Sequence, residues 1–428
     1  MVTEYIQTDI VIMTTLKNMM GAGSIGSGGY GCVFLPALSC ETDIDDDENT
    51  TSDTKYVTKL MTNKHADIEY RIIRSFEKRL RAIPKYDDYF IVTNVTKCRP
   101  GPLTKRDLHA YTTQCKPLIK KNITRKNINR SLSKVTALRI PYGGDTIDNY
   151  WMSHVNSRAD MEIIIASMHV LFNKGILPMN RLGVYHGDIK SSNIMFYKDK
   201  SKLIDWGLAF DTTYTSDHNA DGVSRLATYR PIQFNVLPSC ILLNAEFRVA
   251  VTGFLKANSD PTRQSILDFV SGFVVDWNEI RGNGSVSIMV TLFDKLVPFA
   301  AKKCDISHTI DVGPYVKTDN DKSVPAFIVV YLANILERFI RNKEFHLEEY
   351  YNEVYLKNID IWGFGISFII LFNLLCKNYA TLNNAEKKSL CSLCNMYIHI
   401  LEMDAIPIDT KRISGYVGDI LTNYRMAV

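Results

Sequence analysis

The stretch His186-Gly187-Asp188-Ile189-Lys190-Ser191-Ser192-Asn193 sets a carboxylate, an amine and a carboxamide within six residues. Seventeen residues after Asp188 comes Asp205-Trp206-Gly207, preceded by the apolar Leu203-Ile204. Transfer of a phosphoryl group needs a carboxylate that orients the attacking hydroxyl and takes its proton. It also needs a cation against the γ-phosphate and oxygen ligands for a metal. Asp188, Lys190 and Asn193 supply one of each, Asp205 adds a second metal-ligating oxygen, and Gly207 lets the chain turn away. Either motif alone reads as an ordinary polar loop; both together, in this order, make chance a poor account.

Upstream, Gly26-Ser27-Gly28-Gly29-Tyr30-Gly31-Cys32-Val33 fits G-x-G-x-x-G-x-V, in which glycines bring backbone N–H groups close to phosphates. Alone the pattern is weak, since a flexible turn or a dinucleotide-binding domain would show it too. Cys32-Val33-Phe34-Leu35 reads as a second strand rather than a helix start, which favours a hairpin over phosphates. Tyr56-Val57-Thr58-Lys59-Leu60 places a lysine in an apolar strand, where the ammonium needs a partner or ligand unless it snorkels from an edge. The helical pattern that follows offers Glu69, with Glu77 as the alternative partner.

The elements that must position these groups are a strand and glycine loop near 20–36, a strand near 55–61 and a helix near 66–81. Strands then continue to about 140, and a mostly helical remainder starts near 146. Three stretches interrupt this order. Residues 41–53 carry seven acidic side chains and no basic ones, and read as a solvated loop. Residues 97–139 carry twelve Lys and Arg against Asp107 alone. Three readings stay open for them: a solvated loop, a docking surface for acidic substrates or for the 41–53 loop, and a nucleic-acid contact. Only Tyr111 interleaves the charges, which disfavours base stacking. Residues 239–357 show mixed helical patterns such as Ile328 to Phe339.

The 428 residues are 46% hydrophobic and 22% charged, a globular composition, and the net charge of +4 from 50 basic and 46 acidic residues is too balanced to imply a nucleic-acid or membrane surface. Nine scattered cysteines in a chain this long imply a fold without staples in a reducing compartment. Cys391-Ser392-Leu393-Cys394 reads as two small apolar residues on a helix, with a metal or redox pair as the minor alternative. No leader is visible and no uninterrupted apolar run reaches the roughly 18 residues that span a bilayer. The longest apolar stretch, Ile361 to Cys376, reads as a buried helix.

Taken together, these motifs resemble a eukaryotic-type protein Ser/Thr kinase from about Gly21 to Arg412. The resemblance implies an α+β, bilobal fold with an N-terminal extension over 1–20, a β-rich lobe over 21–145 and a helical lobe over 146–428. It implies ATP and Mg²⁺, with Gly26, Gly28, Gly31 and Val33 over the nucleotide and Lys59, paired with Glu69, on its α/β-phosphates. Pro141, Tyr142 and Asp145 fall in the hinge that holds adenine and ribose. Asp188 is then the catalytic base, Lys190 points to Ser/Thr acceptors, and Asn193 and Asp205 hold the metal. Asp360-Ile361-Trp362-Gly363-Phe364-Gly365 resembles the helix that supports the catalytic loop, with Asp276-Trp277 a poorer match, and Asp409 to Ser414 resembles the closing arginine motif.

Three positions depart from that pattern. Gly187 stands where many such enzymes have arginine, which implies activity without phosphorylation of residues 210–228. Gln233 ends the substrate-docking segment Thr228 to Gln233 in place of glutamate and would face Arg412 with a weaker contact. Trp206 replaces phenylalanine conservatively. A pseudokinase that binds nucleotide or a partner, and a small-molecule kinase of related fold, are the alternatives. The heavy insertion is similar in style to kinases of large DNA viruses, which implies an intracellular site, cytoplasmic or nuclear, or a virion.

Overall fold

The computed structural model describes residues 23–27, 31–43, 56–154, 157–212, 231–307, 316–317 and 323–426. The protein is mixed α+β. Its described residues fall into two compact units, one within 1–78 and 91–143 and the other within 79–90 and 144–428.

The first unit is a six-stranded antiparallel sheet of β1 (Gly23–Ser27), β2 (Gly31–Leu35), β3 (Cys40–Asp43), β4 (Tyr56–Thr62), β5 (Thr96–Pro100) and β6 (Val135–Pro141), in the order β1-β2-β4-β6-β5-β3. β4 is central, and its run Thr58-Lys59-Leu60-Met61 is buried without alternation, as expected of a strand covered on both faces. Gly31 lies opposite Met61, and a Cβ there would sit 2.5 Å from the Leu60 carbonyl oxygen, so only glycine allows β2 to close on β4. α1 (Asn63–Leu80) follows β4 directly.

The structure departs from two expectations of the sequence. The acidic stretch does not begin as a loop, because Cys40–Asp43 forms edge strand β3 against β5; residues 44–55 lie outside the described residues. The basic stretch is not a solvated loop either. Leu103, Tyr111, Cys115, Leu118, Ile123 and Ile128 share one buried cluster with Phe34, Leu60 and Ala137 of the sheet. The apolar positions are spaced irregularly through short turns, so no helical or strand period reveals them.

The cysteines are corrected as well. Six of the nine are paired, as Cys32–Cys115, Cys40–Cys98 and Cys304–Cys391, while Cys240, Cys376 and Cys394 are buried free thiols. Partners stand 58 to 87 residues apart, which sequence spacing cannot match up.

In the second unit, β7 (Asp145–Thr146) leads into α2 (Ile147–His154) and α3 (Arg158–Val170). Four short strands follow: β8 (Val184–Tyr185), β9 (Ile194–Tyr197), β10 (Lys200–Leu203) and β11 (Phe210–Asp211). The described parts of the 239–357 insert are folded. It contains α4 (Ala245–Ala257) and α5 (Arg263–Arg281), capped by the side chains of Asn244 and Thr262, and α6 (Ala326–Phe339), buried along most of its length. α7 (Leu356–Ile366), α8 (Ile369–Lys377), α9 (Asn384–Glu402) and α10 (Thr410–Met426) complete the unit. Among the described residues one helical stretch, Leu347–Lys377, is long and apolar enough to cross a membrane, and 78% of its apolar window is buried in the protein.

Candidate active site

β9 and β10 form a hairpin whose two-residue turn, Lys198-Asp199, has φ of 48° and 59°, the left-handed pair that tight hairpins require. Its open end pairs Ile194 with Leu203, and the Ile204 amide donates to the Asn193 carbonyl oxygen at 3.0 Å. The residues on either side of the hairpin, Asn193 and Asp205, are thereby brought to one end of it. β8 pairs with β11, which sets the strand before His186 beside the strand after Leu208. The two sequence motifs therefore lie side by side because short strands bracket both.

The Asp188 carboxylate is buried and held by three side-chain donors. Lys190 Nζ lies 3.1 Å and Asn193 Nδ2 2.9 Å from its Oδ2, and Asn235 Nδ2 lies 2.9 Å from its Oδ1. Asn193 Nδ2 also reaches the Asp188 carbonyl oxygen at 2.8 Å, which leaves its amide oxygen as the atom that can ligate a cation. Asp205 is half-buried with φ 64° and ψ 68°. Trp206 behind it is buried, edge-on to Phe90 and His186.

The loop backbone is fixed from beneath. Buried Asp360 accepts from the His186 amide at 2.9 Å, the Gly187 amide at 2.8 Å and Asn180 Nδ2 at 2.7 Å. Asp276 and Trp277 lie on α5 in the insert, so the supporting position belongs to Asp360. Gly187 adopts φ +66°, and a Cβ there would lie 3.0 Å from Phe210 Cε1 and 3.2 Å from the Leu208 carbonyl oxygen. The sequence departure at this position thus has a local steric cause.

In the first unit, Lys59 Nζ and Glu69 Oε1 are 2.7 Å apart, both nearly fully buried, and Glu77 pairs with Arg74 at 3.1 Å. A buried ammonium without such a partner would cost several kcal/mol, roughly, in desolvation. Val33 is directly across from Lys59 on β2, and Gly26 pairs with Val33 on β1. Gly28 lies outside the described residues. Pro141 ends β6 opposite Tyr56, Tyr142 follows it, and Asp145 is exposed at the start of β7 in the second unit.

The docking segment is only partly described: 213–230, with Thr228 to Arg230, lie outside the described residues. Its end is not anchored as expected. Arg412 is largely exposed, and its ion partner is Asp409 at 3.9 Å, not Gln233. Phe234 takes that part instead, its carbonyl oxygen accepting from Trp362 Nε1 at 3.0 Å and its amide donating to Ser285 Oγ of the insert at 2.8 Å. Asn235 is the partner of Asp188 that sequence reasoning missed. It follows Gln233 by two positions, and no motif spacing marks it.

Among the described residues no cluster of three or more His, Cys, Asp or Glu side chains could hold a metal alone. Asn193 and Asp205 together offer two kinds of hard oxygen donor. That suits a cation that also binds phosphate oxygens and keeps water. No protein-family model matches the chain, and no curated protein is similar to it.

Proposed function

We propose that the chain is a protein Ser/Thr kinase of the two-lobed protein-kinase type, transferring the γ-phosphate of ATP to protein hydroxyls with Mg²⁺. The observation that carries this reading is the Asp188 carboxylate, buried, held by Lys190, Asn193 and Asn235, on backbone tied down by Asp360. A structural carboxylate needs no lysine two residues on. A base for a hydroxyl next to a triphosphate does.

In this reading Asp188 orients the acceptor hydroxyl and takes its proton, and Lys190 compensates the charge of the γ-phosphoryl oxygens. Asn193 Oδ1 and the Asp205 carboxylate are the protein ligands of Mg²⁺, which when bound offsets the charge of the phosphates. Lys59, kept in place by Glu69, serves the α/β-phosphates. Gly26, Gly28, Gly31 and Val33 cover the nucleotide, and Pro141, Tyr142 and Asp145 contact adenine and ribose. Because Gly187 brings no arginine beside Asp188, turnover does not depend on a phosphate between Phe210 and Thr228.

Phosphoamino-acid analysis after incubation with Mg²⁺, labelled ATP and a generic protein mixture tests the assignment. Label on serine or threonine supports it. Label on tyrosine alone, or on small metabolites but no protein, overturns it.

A further inference from the structure

We infer that the folded basic stretch between Leu103 and Lys134 is a docking surface for an acidic segment of the protein that this chain phosphorylates; the clause about phosphorylation rests on the kinase reading. Nine Lys and Arg side chains between 105 and 134 are exposed, against the single acid Asp107. Among the described residues none of the nine takes part in an ion pair. Asp107 is committed elsewhere, accepting from the Thr104 amide at 2.8 Å and the Thr104 hydroxyl at 2.7 Å. Among the described residues no carboxylate compensates the charge of this surface.

The scaffold is rigid enough to present that charge. Leu103 is bonded through both amide and carbonyl to the Asn129 side chain, at 2.8 and 2.9 Å. Cys115 is bonded to Cys32 on β2, and the buried side chains between them belong to the sheet's own core. Lys116, Lys120, Lys121, Arg125, Lys126 and Arg130 lie on consecutive turns, with Lys116 and Lys120 one helical turn apart. Lys120 and Lys121, and Arg125 and Lys126, are chain neighbours with Cα atoms about 3.8 Å apart, within one Debye length of about 8 Å, so each pair acts jointly on an extended anion.

The chemistry favours a protein acid over a nucleic acid. Tyr111, the one aromatic residue among these charges, is fully buried with its hydroxyl donating to the Ile123 carbonyl oxygen, so no ring is offered for base stacking. The helices that carry the charges are four residues long, Tyr111–Gln114 and Lys116–Ile119, too short to enter a groove as a reading helix. A flexible carboxylate-rich segment needs neither.

The test uses the full chain and the variant Lys120→Glu/Lys121→Glu/Arg125→Glu/Lys126→Glu, whose exposed positions leave the core intact; a thermal melt checks this. Fluorescence anisotropy with a labelled polyglutamate peptide and with a labelled DNA duplex reads binding without any need for catalysis. A second arm compares KM for a serine peptide with and without a glutamate tract. The expected result is binding of polyglutamate that the variant weakens about tenfold or more, with a KM advantage of the tract lost in the variant. Equal peptide binding by both proteins overturns the inference. So does tighter binding of the duplex than of the peptide at about 0.15 M salt, or peptide binding that appears only once residues 44–53 are replaced by neutral ones. Absence of phosphate transfer to either peptide would instead count against the kinase reading, leaving the binding arm to judge the surface.

Discussion

Asp188 is surrounded by three nitrogen donors, and their unequal exposure separates their roles. Lys190 retains about a quarter of its side-chain exposure, whereas Asn193 and Asn235 are buried. Asn235 can therefore act only on the carboxylate and its neighbours, as a positioning residue for the base. Loss of one buried hydrogen bond to a charged acceptor is worth about 1.5–3 kcal/mol. Asn235→Ala is accordingly expected to lower kcat with a protein acceptor by about tenfold to a hundredfold, with KM for ATP nearly unchanged. A variant that raises only KM for ATP would remove Asn235 from this role. Gly187 makes the second residue-scale case. At φ +66° a side chain costs about 1–2 kcal/mol before any contact with Phe210 is counted. Gly187→Arg should lower the melting temperature without making turnover respond to phosphatase treatment, as steady-state rates before and after treatment would show.

At the level of elements, the 186–193 loop is tied to α7 through one carboxylate. Asp360→Ala would remove the acceptor of the buried His186 and Gly187 amides, at about 1–3 kcal/mol each, and one of the two acceptors of Asn180 Nδ2, which keeps the Val184 carbonyl oxygen. A large fall in the denaturation midpoint together with loss of turnover is expected; a stable, active variant would show that the loop holds itself. The insert carries its own strained group. Asp294 lies in a π-helical turn, Thr291–Leu296, with both carboxylate oxygens buried and unbonded, and burial pushes its carboxyl up to about 7 despite Lys295. Below the unfolded value near 4, both states are protonated and burial costs nothing; as pH rises toward 7 the unfolded state alone ionises, so stability falls. Asp294→Asn should thus raise the melting temperature at pH 8, with the gain shrinking steadily as pH falls through 7 toward 4. The same gain at both pH values would contradict the titration. α7 was legible in the sequence because its motif has fixed spacing, whereas the short strands β8 to β11 were hidden in a stretch read as mostly helical. Asn235, the Phe234 anchor and the folded basic stretch were not legible either, since each depends on contacts between residues far apart in the chain. Gln233 illustrates the reverse error. Its neighbour in a familiar pattern suggested Arg412, but the structure leaves that arginine exposed.

For the whole molecule, pattern and packing disagree most over the cysteines. A chain long enough to bury a core was expected to need no staples, yet four cysteines crosslink the first unit and one pair joins Cys304 to α9 of the second. Loops of this length constrain the unfolded chain by about 4 kcal/mol each in the chain-entropy picture. Asp188 and Lys59 are the two residues on which the proposed phosphoryl transfer depends. The most direct test measures transfer of labelled phosphate from ATP with Mg²⁺ to a protein mixture by the unaltered chain, Asp188→Asn and Lys59→Met side by side. The account predicts robust transfer by the first and loss of nearly all of it in both variants. Equal labelling by all three proteins would contradict it.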